Sequence, residues 1–158
     1  MAGRFRFRLE AVLKLRRSLE EVAQRNLARA FAALEEVRTE LARLRQAQLD
    51  TVELRRTATG QPIDLLQWRS VERFLLVLEH RVAEAEVRRR EAEGKVAAAR
   101  QALLLAHRNH LMLVRLKERR QEQHDLESLR EEARDMDEMA VLRHRFAEAA
   151  QTRPEVMS

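Results

Sequence analysis

The sequence predicts an all-α protein: one long antiparallel coiled coil of two helices, a helical hairpin whose second helix is longer than its first. Three observations carry this expectation. The first is a seam. Trp68, Val71, Leu75, Leu78, Val82, Ala85, Arg89, Ala92, Val96, Ala99, Leu103, Ala106, His110 and Leu113 follow one another in alternating steps of 3 and 4, and twelve of the fourteen are apolar. A 3.5-residue period keeps one narrow stripe facing a partner helix. The second is composition: 36% charged and 4% aromatic residues, with 3 Gly and 2 Pro in 158 residues, matches long helix rather than a layered globule. The third is a single cluster of turn signals near the middle of the paired region, at residues 59–64.

Helix one is expected over about residues 5–58. Its seam reads Leu9, Val12, Leu15, Leu19, then Ala23, Leu27, Ala30, Leu34, Val37, Leu41, Leu44 and Gln48. The two consecutive steps of 4 around Ala23 read as a stutter, which locally unwinds a supercoil. Arg55 and Arg56 occupy the last turn, where cations suit the helix dipole. Gly60 supplies the stop, and Pro62 forbids continuation. Asp64 and Gln67 have capping-box spacing, with the Asp64 carboxylate placed to accept the Gln67 amide. Ile63 and Trp68 stand at the two positions of a hydrophobic staple. Helix two is expected over about 65–150, with a tail at 151–158, and the whole chain reads as one coiled-coil domain.

Facing residues of an antiparallel hairpin have a constant sum. Leu27 with Val96, Leu34 with Arg89, Leu41 with Val82 and Gln48 with Leu75 give 123. Ala23 with Ala99, Ala30 with Ala92, Val37 with Ala85 and Leu44 with Leu78 give 122, as do Leu19 with Leu103 and Val12 with His110. Half of either falls in the turn. Ala85, Ala92, Ala99 and Ala106 recur every seven residues, so the partner backbone comes close along that line. Arg89 is expected to snorkel out past Leu34. At about 1.5 Å per residue, helix one accounts for roughly 80 Å and helix two for roughly 125 Å, which leaves about thirty residues of helix two past the end of pairing near residue 117. Leu126, Leu129, Ala133, Met136 and Ala140 resume a 3/4 pattern there, up to Pro154.

Chemistry is sparse. There is no Cys, no Tyr and no phosphate-binding glycine loop. His107 and His110 share a helix face, but no carboxylates stand at ligand spacing, and they read as a surface and a seam histidine. No cofactor, metal or catalytic site is expected, and the protein is not expected to be an enzyme. The balance of +5, from 31 basic and 26 acidic residues, reads as solvated helix faces; no nucleic-acid partner is expected, because no reading motif accompanies the charge. No apolar run reaches about 18 residues, so no membrane span is expected. The Arg-rich start, Arg4, Arg6 and Arg8, reads as structure rather than as a leader, because the seam follows directly. The informative surplus is apolar. Phe74, Leu76 and Val77 crowd beside seam residues Leu75 and Leu78, with Trp68 a turn away. Either Phe74 and Val77 widen the seam against Leu44 and Leu41, or they form an exposed docking patch. Leu104, Leu105, Met112 and Val114 form a second surplus.

Three local motifs point to a family. Phe5-Arg6-Phe7-Arg8-Leu9-Glu10-Ala11-Val12-Leu13-Lys14-Leu15-Arg16, Leu116-Lys117-Glu118-Arg119-Arg120 and Met136-Asp137-Glu138-Met139-Ala140 resemble the flagellar export protein FliJ family, in order and across nearly the whole chain. That family is similar to the central stalk of rotary ATPases, and injectisome stalk proteins share the architecture. The resemblance implies a soluble stalk or adaptor of the flagellar type III export apparatus. It would insert into the hexameric export ATPase ring, link it to the membrane export gate protein and engage export chaperones. It would be cytoplasmic and peripheral to the inner face of the membrane at the flagellar base, reaching the membrane only through partners.

By position, the gate-facing surface would include Leu44, Trp68, Phe74 and Leu78. Ala47 and Thr51 stand where the family often carries aromatics. The ring-facing end would include Phe5, Phe7, Leu116, Arg119, Arg120, Asp137 and Glu138. The competing classes are an injectisome stalk, a generic coiled-coil scaffold, and a basic amphipathic binder of membrane or nucleic acid. The first reading expects a monomer.

Overall fold

The computed structural model describes residues 3–62 and 64–152. Two helices, α1 over Glu10–Thr57 and α2 over Leu65–Gln151, pack against each other as a helical hairpin whose second helix is the longer. No strand occurs among the described residues. Ile63, Pro154 and the tail beyond residue 152 lie outside them. The chain divides into two compact units: a hairpin unit, Arg16–Asn109, and a terminal unit, Met1–Leu15 with His110–Ser158.

The hairpin unit owes its interior to small side chains facing large ones. Leu34, Leu41, Leu78, Ala85, Ala92 and Val96 are its buried apolar residues, and Ala85 has no exposed surface. Leu34, Ala92 and Val96 form one cluster, with Leu27 and Ala30 packed on it. The seam on α1 runs on to Thr51, which is buried and donates its hydroxyl to the Ala47 carbonyl at 2.7 Å. That internal bond removes the cost of burying the hydroxyl.

Leu27 and Ala30 pack on the cluster that holds their expected partners Val96 and Ala92, whereas the charged contacts across the helices lie off the pairing sums of 122 and 123. Leu34 lies with Ala92 and Val96, while Arg89 stays on its own helix, donating to Glu86 at 2.9 Å and Glu93 at 2.7 Å. Across the helices, Arg45 meets Glu86, Arg88 makes a two-pronged contact with Glu40 at 2.9 and 3.0 Å, Arg38 approaches Glu93 at 3.9 Å, and His107 pairs with Glu20 at 2.8 Å. Residue numbers in these pairs total between 127 and 131. The offset is geometric. Every helical side chain leans toward its own N-terminus. In α1 that is away from the turn, and in α2 toward it, so touching residues lie farther from the turn in sequence than level backbone positions do.

The expected stutter is also absent. Half-buried positions on α1 run Arg16, Glu20, Ala23 and Leu27 in unbroken 4/3/4 steps, while Leu19 and Val22 stay 44% and 46% exposed. Sequence favoured the apolar residues for the seam. The fold instead keeps the heptad and admits Glu20, because His107 partners it.

At the turn, Gln61 donates to the Ala58 carbonyl at 3.3 Å and Gly60 sits at φ 143, a conformation open to glycine and strained for any other residue.

In the terminal unit, α1 begins at Glu10 rather than at residue 5. Residues 3–9 form a non-helical strap in which Phe5 and Phe7 are half-buried and Arg4, Arg6 and Arg8 are exposed. That is a period of 2, which a helix would scatter around its circumference. Glu10 pairs with Lys117 at 2.9 Å. Beyond it, Gln121, His124 and Ser128 of α2 are half-buried, so cover on α2 extends past residue 117. Extended chain advances about 3.3 Å per residue against about 1.5 Å for helix, so a short strap shields a long stretch of its partner. From Leu129 to Gln151 every residue of α2 is exposed.

Two outcomes follow from the hairpin unit. Leu34→Ala should cost about 2–4 kcal/mol in urea unfolding and Ala92→Leu about 1–3 kcal/mol, because one empties and the other overfills the same layer; a Leu15→Ala control, 57% exposed in the wild type, should cost far less. The second concerns acid. The Arg89 hydrogen bond, aided by the charges of Arg89, Arg45 and Arg90, holds the Glu86 carboxyl below its ordinary value of 4.5. Its contribution is complete above the ordinary carboxylate range and is lost as pH falls through the lowered folded value. Glu86→Gln should therefore differ from wild type in melting temperature at pH 7 and converge with it at acid pH. An equal difference at both would assign the effect to packing.

Candidate functional site

Among the described residues no group of three or more His, Asp or Glu side chains is placed to hold a metal ion. What each unit does carry is an exposed apolar surface fixed on helical scaffolding.

The hairpin unit's surface surrounds the turn. The Asp64 carboxylate caps α2 by accepting the Leu66 amide at 3.0 Å, one position earlier than the expected Gln67. The Asp64 carbonyl accepts the Trp68 amide at 3.0 Å. Ile63, the other half of the expected staple, lies outside the described residues. Trp68 is half-buried; its indole N–H donates to Glu72 at 3.1 Å, and the Arg55 guanidinium sits 6.0 Å from its ring centre. Trp68 lines a recess of about 220 Å³ with Leu54, Arg55, Gln67 and Val71. That arrangement anchors the ring between the end of α1 and the start of α2.

Of the four residues expected here, Phe74 alone is open, at 48% exposure. Leu44 is half-buried in the seam, and Leu78 is only 2% exposed. Leu78 therefore supports the surface from beneath and is not itself presented. Phe74 and Val77 stay 48% and 46% exposed on one side of the seam, and Leu76, on the other side of α2, is 64% exposed. Sequence reasoning missed Leu54, Leu65 and Leu66, all more than 60% exposed. The signal was available: two adjacent leucines directly after an N-cap cannot both enter a one-stripe seam.

In the terminal unit the strap and α2 enclose a groove of about 620 Å³. Phe5, Phe7, Leu116 and Arg120 line it together with Arg6, Arg8, Leu9, Gln123, His124 and Glu127. The Phe5 ring rests on His124 at 5.6 Å and a tilt of 59°. The groove thus combines apolar walls with three guanidinium groups. Arg119 is exposed outside it, and Asp137 and Glu138 stand farther along α2 on the fully exposed stretch. Arg6, Arg8 and His124 were not anticipated, although the two-residue alternation at Arg4–Leu9 marked the two arginines.

The chain matches the family model described as "Flagellar FliJ protein" over residues 5–149 and belongs to that family. It is accordingly a component of the flagellar export apparatus, from a family of non-catalytic stalk or adaptor proteins. No curated protein and no solved structure matches the chain. No described helix is long and apolar enough to cross a membrane.

The cap provides a direct check on how the Trp68 surface is held. Asp64→Ala should lower stability by about 1 kcal/mol and speed amide exchange at Leu66 without affecting exchange at Ala92. Unchanged exchange at Leu66 would show that the carboxylate does not secure this helix end.

Proposed function

We propose that the protein is the stalk that inserts into the flagellar export ATPase ring and links it to the membrane export gate, escorting export chaperones on the way. One observation supports this reading above the rest: each of the two compact units carries exposed apolar side chains, Leu54, Leu65, Leu66 and Phe74 in one and Leu126, Leu129 and Met136 in the other, which suits a protein that must hold two different partners. The terminal unit, with the Phe5, Phe7, Leu116 and Arg120 groove and the exposed stretch carrying Asp137 and Glu138, is the part offered to the ring; Arg119 flanks it. The surface around Trp68 and Phe74, underlain by Leu44 and Leu78, is the part offered to the gate. Ala47 and Thr51 lie within the seam, so they shape this surface from inside. The protein works in the cytoplasm at the inner face of the membrane, reached through its partners.

The two surfaces should fail separately. Phe74→Ala with Leu76→Ala removes exposed side chains only, so helicity should persist while gate binding falls by at least about tenfold, equivalent to about 1.4 kcal/mol. Phe5→Ala with Phe7→Ala should instead reduce stimulation of the export ATPase. Isothermal titration with the gate's cytosolic domain, ATPase assays with the ring, and swimming motility separate the outcomes. Equal loss of both activities in each variant, with circular dichroism intact, would sink the two-surface stalk.

A further inference from the structure

The strap that opens the terminal unit is an extended segment with no strand beside it among the described residues. Phe5 and Phe7 are half-buried, and Arg4 and Arg6, which alternate with them, are exposed. The stretch ends where the Glu10 N–H donates to the Phe7 carbonyl at 3.1 Å and the chain turns into α1. Among the described residues no hydrogen bond engages the backbone N–H of Arg4, Phe5, Arg6, Phe7 or Arg8. The strap meets α2 through side chains, with the Phe5 ring on His124 beside the groove of about 620 Å³. An extended backbone with open donors and acceptors is a template for one more strand.

We propose that the strap takes an extended segment of a partner protein as a second strand, one in which acidic and apolar residues alternate. Three observations select that occupant. The open backbone suits extended chain, because a strand matches its donors and acceptors along the length whereas a helix has spent its own. The outer row is basic: Arg4, Arg6 and Arg8 are exposed, no acidic residue stands among residues 3–9, and none of the three arginines has an ion-pair partner among the described residues. The inner row is apolar: Phe5, Phe7 and Leu9 line the groove with Leu116 of α2.

Paired strands lie about 4.8 Å apart and share the same two faces. Outward side chains of the incoming strand therefore come level with Arg4 and Arg6, where carboxylates meet guanidinium groups. Its inward side chains enter the groove beside Phe5 and Phe7. On α2 the groove lining carries one charge of each sign, Arg120 and Glu127, so the inner row favours apolar side chains over acids. The chain's own acids nearby are engaged or stand apart: Glu10 meets Lys117 at 2.9 Å, Asp125 lies 3.6 Å from His124, and Glu118 and Glu122 are exposed outside the lining. Which protein supplies the segment rests on the ring reading of this groove; the chemistry of the segment does not.

A short peptide of alternating glutamate and valine should bind the full-length chain in fluorescence anisotropy, and added salt should weaken it. The same residues arranged in two blocks, or lysine in place of glutamate, should bind at least about tenfold more weakly. A peptide N-methylated at every amide keeps its side chains but loses its donors, and should not bind. Arg4→Glu with Arg6→Glu, both exposed and so free of folding cost, should weaken the glutamate peptide at least about tenfold and admit the lysine peptide, with helical circular dichroism preserved. A wild-type chain that ignores the glutamate peptide, equal binding of the block or methylated peptide, or a double variant that binds like wild type would each overturn the proposal. ATPase assays separate it from the ring reading. Peptide binding that leaves stimulation of the export ATPase undiminished would remove the ring and keep the strand. A chain that binds no peptide, yet loses stimulation on Phe5→Ala with Phe7→Ala, would do the reverse.

Discussion

The close approach of two backbones along a line of alanines is the constraint on which the hairpin unit depends. Ala85 and Ala92 present so little bulk that Leu34 and Leu41 can be buried between only two helices, where a lone pair ordinarily leaves its interior half open. Burial is deepest there and weakens toward Ala99 and Ala106, which are only half-buried. Because a two-helix unit has no second layer, nothing else can compensate for a misfit in this line. Stability is thus concentrated in the middle of the hairpin unit, and exposed apolar side chains such as Leu65, Leu66 and Phe74 stand where its packing thins out.

Charge does a different job from the alanines. The cross-helix pairs Arg88–Glu40, Arg45–Glu86 and His107–Glu20 stand at the margins of the seam, where solvent limits their energetic worth. Their value is in fixing register. Glu20 and Glu10 take inward positions that apolar neighbours might have claimed, and each is met across the interface by a basic partner, His107 and Lys117. The strict heptad then persists where the leucines alone would have unwound it. This leaves Leu15, Leu19 and Val22 facing outward, so apolar surface on the lower part of α1 is a by-product of electrostatic choice.

The helical elements, the turn and the family were legible in the sequence because each rests on local chemistry: a 3/4 period, Gly60 and Asp64, and three ordered motifs. The charged contacts across the helices were not, because sums centred on the turn describe backbone levels and ignore the lean of side chains toward each helix's N-terminus. The start of α1 was misplaced for a related reason. Residues 5–9 were read as helix with Leu9 opening the seam, yet the two-residue spacing of Phe5, Phe7 and Leu9, with arginines between, is the signature of extended chain. Within the candidate surfaces, Phe5, Phe7, Leu116 and Arg120 line one groove, whereas Leu78 disappears into the interior. A seam residue cannot both hold two helices together and greet a partner, and sequence spacing alone does not reveal which duty it has.

The long exposed end of α2 has a further consequence. Helix nucleation is the costly step, and Leu129–Gln151 escapes it by growing from a turn already held in place. It therefore keeps its backbone hydrogen bonds without the tertiary packing that normally guards them. Such a segment opens and closes readily. Arg130, Arg134, Arg143 and Arg145 lie along it, each a cleavage point for a trypsin-like protease. Limited digestion would pare this end away first and leave the alanine-lined hairpin whole, so in a cell the lifetime of the full-length protein is set by how much of its time that helix spends covered.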